Sequence, residues 1–160
     1  MSTQATRNPP LSDVDRLGME AALEEARLAA VQGEVPVGAA LARDGYVIAE
    51  AHNETVLRRD LTQHAELIAI RKALGELGTD RLDGATLYIT LEPCAQCAGA
   101  IVLSRVSKVL FGAYDPKAGM AGSVEDLVRH PKLNHRPEVR GGVMVEECGE
   151  LLQEFFERRR

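Results

Sequence analysis

"TLYITLEPCAQCAGAIVL", residues 86 to 103, decides how this chain is read. Its first half is rich in β-branched and aromatic residues, its second in small and apolar helix formers. Pro93 stands at the joint and suits a first helical position, where its missing N–H costs nothing. The stretch therefore predicts a strand that hands over directly to a helix, with Cys94 and Cys97 at the handover. Two residues three apart share one face of a first helical turn, and the unpaired backbone N–H groups there favour thiolate over thiol. By itself C-x-x-C stays open between a redox couple, half of a closed zinc site and part of a catalytic metal site.

Outward from this stretch the pattern is regular. Ser12-Asp13-Val14-Asp15 fits a capping box, and "LGMEAALEEARLAAVQG" predicts a helix down to Gly33. "VGAALAR" and "YVIAEAH" predict two strands joined by a tight turn at Asp44-Gly45. A polar loop (53–62) leads to "HAELIAIRKALGELG", where Leu67, Ile70, Leu74 and Leu77 recur at helical spacing and predict a buried stripe. "ATLYITL" predicts a third strand, "CAQCAGAIVLS" a third helix and "KVLFGAY" a fourth strand. After a glycine-rich loop, "VEDLVRH" predicts a short helix, "GGVMV" a fifth strand and "EECGELLQEFFERRR" a last helix. The expected order is α-β-β-α-β-α-β-α-β-α. Strands alternating with helices imply an α/β fold in three layers, α/β/α, with helices on both faces of a five-stranded mixed sheet. Strands 1 and 2 should pair antiparallel through their turn, and strands 4 and 5 parallel through a crossover.

With 160 residues the chain suits one domain, expected over 12–160 after a disordered lead-in at 1–11. Apolar residues make up 45% and charged residues 27%, an ordinary globular balance. No apolar run approaches the roughly 20 residues a membrane span needs, and "MSTQATRNPP" lacks a signal-peptide core. A cytoplasmic protein without membrane association is expected, and three cysteines do not suggest a disulfide framework. A net charge of −5 excludes a surface that is basic throughout, although "PKLNHRPEVR" (131–140) and the terminal "FFERRR" are locally basic.

A second segment turns the cysteine pair toward metal. "HAE" (64–66) again opens a helix, so His64, Cys94 and Cys97 together offer one imidazole and two thiolates, a donor set suited to zinc. Three protein ligands leave one corner of a tetrahedron open, as in a catalytic site; Cys148 reads more simply as a small core residue. Two thiolates make the ion a weaker acidifier of water than neutral histidines would, so a nearby base is required, and Glu66 is the candidate. Such a constellation suits hydrolytic attack on an electrophilic carbon.

These residues give the sequence its resemblance to the cytidine-deaminase-like zinc hydrolases, whose mark is H-x-E…P-C-x-x-C. Over residues 12–160 it resembles the bacterial tRNA-specific adenosine deaminases in "EVPVGA" (34–39), "HAE", "ATLYITLEPCAQCAGA" (85–100), "FGAYDPKAGMAGS" (111–123), "HPKLNHR" (130–136) and "FFERRR". The resemblance implies hydrolysis of adenosine to inosine at the wobble position of a tRNA anticodon, with an arginine tRNA as the usual substrate. It implies one zinc per subunit on His64, Cys94 and Cys97, Glu66 as proton shuttle, and Asn53 holding the flipped base. Val35, Pro36 and Leu91 match pocket positions, and Asp115 and Lys117 match a loop lying against RNA. It further implies a homodimer whose partner is the anticodon stem-loop. Arg158 to Arg160 become phosphate contacts in this setting, while Phe155 and Phe156 are expected to pack. Gln96, Tyr114 and Thr55 depart from the family pattern. The alternative is a deaminase of a free base or nucleoside, of guanine or cytosine type; a non-enzymatic zinc or thiol-redox module is the rival from another class.

Overall fold

The computed structural model describes residues 8–159; the expected lead-in over residues 1–7 and any role of Arg160 lie outside the described residues. Helix α1 (Asp13–Val31) opens on Ser12, whose Oγ accepts from the Asp15 N–H at 3.1 Å. Only that half of the expected capping box forms. The Asp15 carboxylate turns inward instead and accepts from Tyr88 Oη (2.7 Å) and Lys108 Nζ (2.9 Å). Strands β1 (Gly38–Arg43) and β2 (Tyr46–His52) pair antiparallel, and Asp44 and Gly45 between them take positive φ of 53° and 83°, as a tight hairpin turn requires.

Helix α2 (Ala65–Leu77), strand β3 (Thr86–Leu91), helix α3 (Ala95–Ser104) and strand β4 (Lys108–Ala113) follow as expected. The fully buried face of α2 is Ala65, Ala69, Ile70 and Ala73, whereas Leu67, Leu74 and Leu77 are only half-buried. Small residues let α2 sit close on the sheet, so the leucine spacing marks the edge of the packed stripe, not its centre.

Past β4 two expectations fail. Residues 124–130 hold no helix: Asp126 accepts from the Arg129 N–H (3.1 Å) and Nε (2.8 Å), and Arg129 Nη2 reaches the Ala121 carbonyl (3.0 Å). Side-chain bonds of this kind compete with a helix too short to nucleate alone. The fifth strand is β5 (Glu138–Arg140), not 141–145. Gly142 (φ 76°) and Met144 (φ 52°) break the extended run, and Val145 already opens α4 (Val145–Glu157). The element order is therefore α-β-β-α-β-α-β-β-α, with one helix fewer than expected.

The sheet runs β2-β1-β3-β4-β5, with β1 antiparallel to β2 and β3, and β3-β4-β5 parallel. Alternate residues feed two cores. Leu41, Leu87, Ile89, Val109 and Phe111 pack toward α2 and α3, while Ala40, Tyr88 and Leu110 pack toward α1 and α4. Cys148 is buried in the second core, where burial pushes its thiol up to about 12. This topology also gathers one end of the sheet. The C-terminal ends of β2, β3 and β4 and the chain entering β1 all open toward the starts of α2 and α3, where α/β sheets place their sites.

Candidate metal centre and pocket

His64 and Cys94 are the N-cap residues of α2 and α3, both in extended backbone conformation, and neither side chain caps its own helix. Each is thereby directed off the helix end. His64 Nδ1 lies 3.5 Å from Cys94 Sγ and 3.6 Å from Cys97 Sγ. Among the described residues these three form the one group of histidine, cysteine or carboxylate ligands close enough to share an ion, their donor atoms all within 4.8 Å of one another. A tetrahedral zinc with bonds of about 2.3 Å to sulfur and about 2.0–2.1 Å to nitrogen needs N···S edges of about 3.5 Å. The spacing present fits that group.

The three donor side chains are also electrostatically coupled to one another. The hydrogen bond from Cys97, then that of His64, holds the Cys94 thiol down to about 3, although burial opposes it. The same bond and burial push Cys97 up, and the Cys94 sulfur raises His64. Gln96, between the cysteines, donates to the Thr62 carbonyl (2.9 Å) and stitches the first turn of α3 to the segment before His64.

Glu66 lies two residues after His64, in the first turn of α2, and is 4% exposed. Burial raises its pKa, with its own amide, His64 and Cys97 as the neighbours that moderate the rise. His64 and Glu66 lie only two apart, yet both reach one cavity, because His64 precedes the first helical residue and Glu66 follows it.

A cavity of about 380 Å³ opens over these groups. Asn53, Val35, Leu91 and Asp115 line it, together with His64, Glu66 and Cys94. Asn53 Oδ1 accepts the Ala65 N–H at 2.9 Å, so a helix-entrance donor fixes the amide where the residue lines the cavity. Asp115 Oδ1 accepts from the N–H groups of Lys117 (3.0 Å) and Ala118 (3.2 Å), which makes it a turn former as well as a wall. Pro36 is buried beside the lining without being part of it.

The remaining expected contacts lie elsewhere. Lys117 lines a neighbouring cavity of about 390 Å³ with Tyr114 and Phe156, sharing Val35, Leu91 and Asp115 with the first. Arg158 and Arg159 line a third cavity beside the end of α1. Arg159 donates to the Gly33 carbonyl (2.7 Å), which ties the end of α4 to the turn after α1, and its guanidinium lies 4.1 Å over the Phe155 ring of α4 in a cation–π contact. Phe155 is half-buried and Phe156 is 54% exposed, so neither fills a core.

Two buried side chains that hold the cavity's rims are not evident from the sequence. Glu34, fully buried, accepts from the N–H groups of Val56 (2.7 Å) and Leu57 (3.2 Å) and from Thr55 Oγ1 (3.5 Å), holding the loop on one rim. Glu92 accepts from Asp115, Ala121 and Ser123 on the other rim and lines the cavity itself. A charged residue closing an apolar strand, as Glu92 does after "TLYITL", was the signal available.

A family model described as MafB19-like deaminase matches residues 15–160. The chain is 51% identical over 146 residues to a tRNA-specific adenosine deaminase of Bacillus subtilis, covering 91% of each, and 46% identical to that of Aquifex aeolicus, covering 89% and 93%. Among solved structures it superposes with TM-score 0.83 on a tRNA:A34 deaminase studied for A-to-I editing at the wobble position, at 45% identity over 86% of this chain and 99% of that one. A guanine deaminase from Nitrosomonas europaea follows at 25% identity and TM-score 0.78, covering 95% and 90%.

Proposed function

This chain belongs to the tRNA-specific adenosine deaminases, and from that membership we propose how its pocket works. It is a hydrolase that converts adenosine to inosine at the wobble position of a tRNA anticodon. The ion we assign to His64, Cys94 and Cys97 is zinc, one per chain, which when bound supplies an activated water nucleophile. With zinc held there, Glu66 would take a proton from the water and pass it to the purine ring nitrogen, and a second proton, from the added hydroxyl, would pass through it to the departing amine as the C–N bond breaks. Burial raises the proton affinity of Glu66 above that of a free carboxylate, the direction that proton transfer to the base needs. Asn53 presents its amide nitrogen to the base, and Val35 and Leu91 pack on the ring faces. An anticodon loop suits such a pocket because its bases are already partly unpaired.

The observation that carries this reading is one cavity lined by two of the three ligands, the buried carboxylate and the helix-fixed amide together. We take an arginine tRNA as the substrate, with Lys117, Arg158 and Arg159 contributing charge toward its phosphates. A cytoplasmic homodimer completes the proposal. Leu103, 82% exposed on α3 beside Gly99 and Ala100, offers a face that a second copy would cover. Among the described residues no helix is long and apolar enough to cross a membrane.

The test is a parallel incubation with an arginine-tRNA anticodon stem-loop, free adenosine, guanine and cytosine, read by inosine mapping and ammonia release. Inosine should form in the stem-loop alone. Rapid turnover of a free base with an untouched stem-loop would overturn the substrate assignment.

A further inference from the structure

Glu92 belongs to no step of the chemistry above, yet it is among the most thoroughly bonded side chains near the cavity. It lies one residue past β3, is 2% exposed, and accepts from a loop more than twenty residues further along the chain. Oε1 takes the Asp115 N–H (3.0 Å) and the Ser123 hydroxyl. Oε2 takes the Ala121 N–H (3.0 Å) and the Ser123 N–H (3.1 Å). The loop between these donors carries Asp115 and Ala118, both of which line the cavity. Gly119 passes directly over the carboxylate, where a Cβ would collide with Cδ and both oxygens. The loop also reaches the metal side once, through the Met120 N–H to the Pro93 carbonyl (2.8 Å).

We propose that Glu92 is a positioning residue for the deamination, locking the 115–123 loop as the substrate-facing wall of the pocket while taking no part in proton transfer. The proposal rests on the assigned reaction for its substrate but not for its geometry. Each oxygen meets two donors, so charge and shape are both used up by the loop. Glutamine is a poor replacement for that reason. With its NH₂ at Oε2 it would face two amides that also donate, and at Oε1 the Asp115 N–H would stay unmatched even if the Ser123 hydroxyl turned to accept, so the loop loses one or two of its four anchors.

The experiment compares wild type, Glu92→Gln and Ser123→Ala for metal content, far-UV circular dichroism, stem-loop kinetics and limited trypsin cleavage after the exposed Lys117. Glu92→Gln should keep its metal and its spectrum. Cleavage after Lys117 should quicken about ten-fold and KM for the stem-loop should rise about ten-fold, with kcat held within about three-fold. Ser123→Ala, which removes one of the four donors' side chains, should move the same readings by less. A folded, metal-loaded Glu92→Gln with unchanged cleavage and KM would sink the proposal, as would a fall in kcat alone. If Glu92→Gln loses its metal or its fold, Ser123→Ala decides, and wild-type behaviour there counts against the lock. Should wild type itself leave the stem-loop untouched, the assigned reaction fails, and trypsin cleavage alone settles whether Glu92 holds the loop.

Discussion

Glu66 and Glu92 are both buried carboxylates lining one cavity, 4% and 2% exposed, and they behave in opposite ways. Burial pushes both upward. At Glu66 it prevails over its own amide, His64 and Cys97, which pull the other way, and the Cys94 sulfur adds to the rise. At Glu92 the Ser123 hydroxyl and the amides of Asp115, Ser123 and Ala121 outweigh it and hold the group below the usual carboxylate range. Removal from water is common to both; what separates them is whether the oxygens already hold donors. A carboxylate whose lone pairs are taken builds structure, and one whose lone pairs face the cavity can carry a proton.

The contrast can be tested most severely at Glu66. Glu66→Gln should keep the metal and the fold but lose about 10²–10⁴-fold in kcat, read by inosine formation under single-turnover conditions. Retained turnover would erase the distinction between the two glutamates. Next comes Asn53, which serves structure with its oxygen and the cavity with its nitrogen. Asn53→Ala leaves the buried Ala65 N–H without an acceptor, so unfolding free energy should drop by about 1–3 kcal/mol while KM also rises. A change in KM without any loss of stability would show that the oxygen is dispensable.

The smallest effect is expected at Asp15, at the far end of the sheet. Burial would raise its pKa, but the hydrogen bonds from Lys108 and Tyr88 outweigh it and bring it below 3.8. A lowered folded pKa stabilises the protein fully above the unfolded value and ceases to do so as pH falls through the folded one. Asp15→Asn should therefore cost about 1 kcal/mol at neutral pH, with the deficit shrinking in acid below 3.8, measured by urea denaturation. A deficit that stayed constant with pH would place the contribution in shape instead of charge.

How legible each part was follows from how local its cause is. The handover from β3 to α3 and the Asp44-Gly45 hairpin are written in adjacent residues and form where expected. His64, Cys94 and Cys97 were found because helix starts reveal themselves by short motifs. Glu34 and Glu92 were missed because their partners are backbone amides 22 to 31 residues away, whose identity leaves no trace in sequence. The same blindness produced the helix expected at 124–130, where Arg129 finds the Ala121 carbonyl, and the misplaced fifth strand, where Met144 adopts a left-handed backbone.

The helix entrances at His64 and Cys94 carry one more implication. Their own side chains leave the leading amides of α2 and α3 uncapped, and at α2 it is Asn53, from the preceding loop, that serves the first of them. If the proposed zinc joins the two entrances, starvation for it would remove a tie between them together with the activated water. Editing would then fall silent in a cell that still contained the protein in full, and resupply would restore it without new synthesis.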